Sequence, residues 1–181
     1  MKRIVAPIFV LLASILTGHF VTLHMTPVAI MKNAIERLEE RGVALHEFNL
    51  APRTTPQTQT VVRPSPDLVY SICPFDLSGN QVLAVRVGPY DDYSSVSFFD
   101  IRTNNFATVR IDVGGDPASG SEIVLRAPGR AALDPLMFSG PQIEAPTRRG
   151  LILIRRLAPT QAAYHEVVST AADDSCSLLI L

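Results

Sequence analysis

Ala107-Thr108-Val109-Arg110-Ile111-Asp112-Val113 decides the fold class. Its apolar side chains recur at every second position, with Thr108, Arg110 and Asp112 between them. Successive side chains of a strand point to opposite faces, so this period sets Ala107, Val109, Ile111 and Val113 on a core and the polar set in water. That is the pattern of a half-buried antiparallel strand. Downstream, Gly114-Gly115-Asp116-Pro117 reads as a turn into a second strand over Ile123 to Ala127.

Upstream the reading repeats. Val82 to Val87 puts Leu83, Val85 and Val87 on one face and Arg86 on the other, and Val96 to Ile101 carries Phe98-Phe99 between the turn signals Asp91-Asp92 and Asn104-Asn105. Leu151-Ile152-Leu153-Ile154 is apolar on both faces, as a central strand is. After Pro159 the period lengthens: Ala163, Tyr164, Val167, Val168 and Ala171 fit a short helix ending near Asp173-Asp174. Fourteen prolines, ten glycines and no tryptophan agree with short elements joined by turns. At 181 residues and 47% apolar, the chain holds one core of ordinary size. The expected class is mainly β, an antiparallel β-sandwich-like domain over residues 49–181.

The N-terminus has a different character. From Ile4 to Leu23 no Asp, Glu, Lys or Arg occurs, and about twenty such residues span a bilayer core. Lys2 and Arg3 precede the run, so a cleavable signal peptide is the competing reading. Its small-x-small cleavage site is missing: Ala13/Ile15, Ser14/Leu16, Thr17/His19 and Gly18/Phe20 each include a large side chain. An uncleaved transmembrane anchor over residues 1–24, crossing by residues 4–23, is expected. Lys32, Arg37 and Arg41 compete with Lys2 and Arg3 for the cytoplasmic side; the short basic N-terminus favours N-inside with the domain outside. His19 sits within about a turn of the end of the apolar run, and reads as an interfacial histidine ahead of a proton relay or metal ligand.

Residues 25–48 follow as an amphipathic helix and connection. Thr26-Pro27 reads as an N-cap with proline at the first helical position, and Gly42 as the helix stop. Val28, Met31, Ile35 and Leu38 share one face, which core packing, the membrane surface or a partner helix would each satisfy. From Leu50 to Ser65 the chain is rich in Pro, Thr and Gln, the composition of a linker or extended arm.

Val62-Arg63-Pro64-Ser65-Pro66-Asp67-Leu68-Val69-Tyr70-Ser71, then Cys73-Pro74-Phe75-Asp76-Leu77-Ser78-Gly79, resembles the bacterial family called domain of unknown function 1254. The likeness continues through Tyr93-Ser94-Ser95-Val96-Ser97, Phe98-Phe99-Asp100 and Gly150-Leu151-Ile152-Leu153-Ile154-Arg155-Arg156, and includes the N-terminal apolar segment. The resemblance implies a β-rich, sandwich-like domain in an exported or membrane-bound protein, here in a short, anchored form without the second domain of longer relatives. It implies no activity. With the charge pattern, it gives an expected location: the bacterial inner membrane, single-pass, with the C-terminal domain periplasmic.

Sixteen basic and seventeen acidic residues give a net charge of −1, which removes nucleic acid as an expected partner. Cys73 and Cys176 admit two readings, one bridge in an oxidising compartment or two buried thiols. In Arg63-Pro-Ser-Pro-Asp67 two prolines stiffen a guanidinium and a carboxylate, either as an anion clamp or as a salt-bridged turn. With Tyr70 and Asp76 these form the candidate ligand-binding set: Arg63, Asp67, Tyr70 and Asp76. Tyr90, Asp91, Asp92 and Tyr93 suit a carbohydrate or cation site, or a solvated turn. No Gly-x-Ser-x-Gly elbow, phosphate loop or zinc spacing occurs, and His46 and His165 have no partner spacing, so no catalytic residue, metal or cofactor is assigned. The expected function is a membrane-anchored, non-enzymatic domain binding an envelope partner. The alternative is an envelope enzyme or small-ligand binder using Arg63, Asp67 and Asp76.

Overall fold

A strand with one apolar face needs a second layer over it, and in the computed structural model of the chain that layer is a second sheet. Residues 2–54, 64–79, 81–111, 121–138 and 140–179 are described, with side chains from residue 6 onward. The elements in chain order are α1 (Lys2–Glu40), β1 (Asn49–Leu50), β2 (Leu68–Asp76), β3 (Val82–Val87), β4 (Ser94–Asp100), β5 (Asn105–Ile111), β6 (Ser121–Arg126), β7 (Gln142–Glu144), β8 (Arg149–Leu157), α2 (Gln161–Ala171) and β9 (Ser175–Leu179). One sheet has the order β1-β2-β8-β4-β5 and is antiparallel throughout. The other has the order β7-β6-β3-β9, with β7 parallel to β6 and the rest antiparallel.

The core draws on both sheets. Cys73, Phe75, Val96, Phe98, Ile152 and Ile154 come from the five-stranded sheet, and Leu83, Val85, Val87, Ile123, Leu125 and Cys176 from the four-stranded one. Leu83, Val85 and Val87 are fully buried while Arg86 is exposed, as their alternation requires. In β5, Ile111 joins the core, Ala107 and Val109 pack on it, and Thr108 and Arg110 are exposed. Asp112, Val113 and the Gly114–Pro117 turn lie outside the described residues, as does most of the Pro/Thr/Gln-rich segment. β8 occupies the centre of its sheet, between β2 and β4. Ile152 and Ile154 face the core, while Leu151 and Leu153 are half-buried on the other side.

The two layers are covalently joined. Cys73 on β2 is disulfide-bonded to Cys176 on β9, 103 residues later, which settles the two readings of the cysteines in favour of the bridge.

The helical N-terminus differs from its sequence reading in one respect. Thr26 does not cap a new helix; α1 runs unbroken from Lys2 to Glu40 with Pro7 and Pro27 inside it. Proline in a helix interior forfeits one backbone hydrogen bond and crowds the carbonyl four residues back, a defect that a helix with satisfied neighbouring turns absorbs. Three polar side chains turn back on their own helix: Ser14 Oγ donates to the Val10 carbonyl and Thr22 Oγ1 to that of Gly18, both at 2.8 Å, and the His24 ring, just beyond the apolar run, meets the Phe20 carbonyl at 2.8 Å. Gly42, at φ 85°, ends the helix as expected. Met31 and Ile35, one turn apart, are buried, so the last third of α1 packs on the rest of the chain.

α2 begins where Thr160 Oγ1 accepts from the Ala163 backbone N–H, an N-cap bond that satisfies one orphan donor. Val167 is its buried residue.

Candidate functional site

The two carboxylates of the candidate ligand-binding set do not gather. Asp67 and Asp76 flank β2 at opposite ends, about 30 Å apart at the rise of an extended strand. Asp67 is exposed, and its carbonyl accepts from the Ala158 N–H. Asp76 belongs to a local brace: its carboxylate lies 3.2 Å from Arg149 Nε and accepts the Ser78 N–H at 2.9 Å, while its own backbone N–H donates to His46 Nε2 at 3.0 Å. Tyr70 lies mid-sheet, with its hydroxyl accepting the Ser65 N–H at 3.1 Å. Arg63 falls outside the described residues. His46 is thereby accounted for as a turn residue at φ 61°, and His165 lies exposed on α2, 3.1 Å from the Gln161 amide.

The quartet Tyr90–Tyr93 is likewise divided. Tyr90 is buried with Val69, Ala158 and Val167, and its hydroxyl donates to the Leu157 carbonyl. Burial raises its pKa, as do the negative charges of Glu166 and then Asp92, against the opposing pull of Arg156. Asp91 and Asp92 are exposed, and Asp92 accepts the Tyr93 N–H at 2.6 Å. Among the described residues no three His, Cys, Asp or Glu side chains converge on a metal-sized site.

Two other polar groupings are assembled by the fold. The first is buried. Arg156, 1% exposed, presents both terminal nitrogens to the fully buried Asp174 carboxylate at 2.6 and 2.8 Å, and its Nη2 also reaches the Gly88 carbonyl at 3.3 Å. Gly88 N–H donates to the same carboxylate at 2.9 Å. A Cβ at Gly88 would stand 2.5 Å from the Thr170 carbonyl oxygen, so glycine is what lets this backbone approach.

The second lies on the outer face of the five-stranded sheet. Ser95 on β4 is paired in register with Arg155 of β8 on one side and Arg110 of β5 on the other. Arg155 Nη2 donates to Ser97 Oγ at 2.5 Å, and Ser97 Oγ lies 3.1 Å from Thr108 Oγ1. Tyr93 OH donates to Ser95 Oγ at 2.9 Å, and the Arg110 guanidinium lies over the Tyr93 ring at 5.9 Å. Ser95 and Ser97 are 1% and 0% exposed, so they form the floor of this face, beneath the longer side chains. Of the sequence candidates, Tyr93 belongs to it and Tyr70 borders it, opposite Arg155 on β2.

Sequence reasoning left both arginines of Arg155-Arg156 unassigned, although a signal was present. In a strand of period two, consecutive arginines occupy opposite faces, and one of them must point into the core. The serines of β4 carry no such signal, because their burial depends on neighbouring strands brought from 11 and more residues away.

Comparison with known proteins bears on the whole arrangement. No curated protein matches the chain. The fold resembles the crystal structure of the VPA0106 protein from Vibrio parahaemolyticus, with a TM-score of 0.62 at 14% identity, over 84% of this chain and 35% of that one. It also resembles a putative uncharacterized protein from Burkholderia cenocepacia, with a TM-score of 0.51 at 16% identity, over 75% of this chain and 35% of that one. The chain thus spans about a third of the length of these structures, and at such identities the likeness is one of fold. Residues 45–176, which contain both polar groupings and every strand up to the disulfide, match the family described as protein of unknown function DUF1254. The chain belongs to that family.

Proposed function

We propose that this chain is a single-pass protein of the bacterial envelope: residues 4–23 cross the inner membrane, the N-terminus stays in the cytoplasm, and the disulfide-stapled sandwich stands in the periplasm as a binding domain rather than an enzyme. The observation that carries this reading is the exposure of α1. From Ala6 to Ile30 its large apolar residues, among them Phe9, Leu11, Leu12, Ile15, Leu16 and Phe20, are uncovered by the rest of the chain, and the helix is long and apolar enough to cross a bilayer. Water does not tolerate such a surface on an isolated helix; lipid does.

Two further features support the orientation and the tether. Disulfides persist in the periplasm and are rare in the cytosol, which favours the domain lying outside. α1 continues without a break from the apolar segment to the buried Met31 and Ile35, as a stalk does. The eight residues from Leu23 to Met31 rise about 12 Å, so the stalk holds the sandwich close to the membrane surface. The separation of Asp67 and Asp76 along β2 counts against the alternative, an envelope enzyme or small-ligand binder using Arg63, Asp67 and Asp76.

A C-terminal reporter active only outside the cytoplasm is expected to be active, and alkaline carbonate to leave the protein in the membrane. In-cell cross-linking from the exposed face of the sandwich is expected to capture a reproducible envelope partner. An inactive reporter overturns the orientation, and mature protein beginning downstream of His24 in the soluble fraction overturns the tether.

A further inference from the structure

The outer face of the five-stranded sheet holds two cations that no carboxylate pairs among the described residues. Arg155 and Arg110 flank Ser95 from the two neighbouring strands, so their backbones lie about 10 Å apart across one strand on the same side of the sheet. Among the described residues neither guanidinium is ion-paired with a carboxylate: Arg155 meets Ser97 Oγ, and Arg110 meets the Tyr93 ring. Asp92, next to Tyr93, turns its carboxylate to the Tyr93 N–H, and Asp112, two residues from Arg110, lies outside the described residues. Arg155 Nε is moreover buried without a hydrogen-bond partner among the described residues, a donor that costs free energy until something accepts from it.

Between the cations lies a floor of hydroxyls held in place. Tyr93 fixes Ser95, Arg155 and Thr108 fix Ser97, and both serines are withdrawn from solvent. Guanidinium groups recognise oxyanions by parallel charge-assisted hydrogen bonds, and hydroxyl groups add donors that orient the remaining oxygens. A phosphate group has oxygens enough to meet both guanidiniums at once.

We propose that this face is a binding site for a phosphate-bearing ligand, with Arg155 and Arg110 as the two charge partners and Ser95, Ser97, Thr108 and Tyr93 as the floor. The site uses residues other than the sequence candidates Arg63, Asp67 and Asp76. It names a ligand class for the binding domain proposed above and rests on that reading; loss of the site leaves the reporter, carbonate and cross-linking tests untouched.

The full chain in a neutral detergent is titrated calorimetrically with inorganic phosphate, with glycerol 3-phosphate and with glycerophosphoglycerol, each against chloride at equal ionic strength. Saturable binding is expected for at least one. A free phosphate ligand favours the first two, and a lipid head group the phosphodiester. Arg110→Gln, at an exposed position, is expected to weaken binding about tenfold or more, and Arg155→Gln by a similar factor. Arg86→Gln, on the other sheet, is expected to leave binding within twofold. Should Arg155→Gln fail to fold, Arg110→Gln decides alone. No saturable binding by any of the three, or binding unchanged in Arg110→Gln, overturns the proposal.

Discussion

Arg156 and Asp174 face each other as a two-pronged ion pair, at 2.6 and 2.8 Å, with both side chains withdrawn from water. The pair links the two layers, because Arg156 belongs to the central strand of the five-stranded sheet and Asp174 immediately precedes β9 of the other. Breaking one side of a buried pair strands the other charge in a low-dielectric interior, which costs about 3–5 kcal/mol. Asp174→Ala is therefore expected to lower unfolding free energy by about that amount in urea titrations. The double replacement Arg156→Met/Asp174→Leu leaves no stranded charge and is expected to be less destabilised than Asp174→Ala. A double variant as weak as the single one or weaker would refute this account.

The Cys73–Cys176 bridge closes a loop of 103 residues between β2 and β9. On the chain-entropy argument such a closure is worth about 4–5 kcal/mol. Cys73→Ala/Cys176→Ala is expected to melt about 10 °C or more below the parent by circular dichroism. The untreated protein is expected to migrate faster on a non-reducing gel than after reduction.

Gly150 sits on β8 where a Cβ would meet the Phe99 carbonyl oxygen at 2.0 Å and the Phe75 ring at 2.7 and 2.9 Å. Backbone and a buried aromatic cannot both retreat, so Gly150→Ala is expected to destabilise by at least about 3 kcal/mol. Phe75→Leu in the same chain, by opening space on one side only, is expected to rescue little of it. An unfolding midpoint for Gly150→Ala within error of the parent would count against the close approach of β8 to Phe99 and Phe75.

Tyr90 makes stability depend on alkaline pH. Burial, reinforced by Glu166 and Asp92, raises its folded pKa above the unfolded one, so the folded state keeps the phenol proton longer. The contribution is present below pH about 10 and is lost as pH rises through the folded pKa. Tyr90→Phe removes the hydrogen bond to Leu157 and is expected to cost about 1 kcal/mol at neutral pH. Between pH 8 and pH 10.5 its urea midpoint is expected to fall less than that of the parent. An equal fall in both would sink the assignment.

The legibility of this fold in its sequence follows the range of the forces involved. Period-two runs at Val82–Val87 and Ala107–Ile111, the central strand at Leu151–Ile154 and the short helix after Pro159 are decided by neighbours a few residues apart, and all are found where the pattern puts them. Thr26-Pro27 misleads because a proline is compatible both with the first turn of a helix and, at a price, with its interior; the continuity of α1 decides between these. The site fared worse. Arg63, Asp67 and Asp76 are close in sequence, yet an extended strand carries Asp67 and Asp76 to opposite ends of the sheet. The serine–arginine face is invisible in the chain because β4, β5 and β8 meet only through sheet pairing.

That pairing has a consequence for how the protein comes into being. β2 hydrogen-bonds to β8 across 73 to 89 residues, and β3 to β9 across 89 to 97, so neither sheet closes while the ribosome still holds the later strands. Helix α1, in contrast, is held by backbone hydrogen bonds between residues four apart and forms as soon as it is made. On the membrane-anchored reading proposed above, an insertion apparatus therefore meets a finished apolar rod followed by a chain with its sheets still open, and after translocation the last strand to arrive shuts the sandwich.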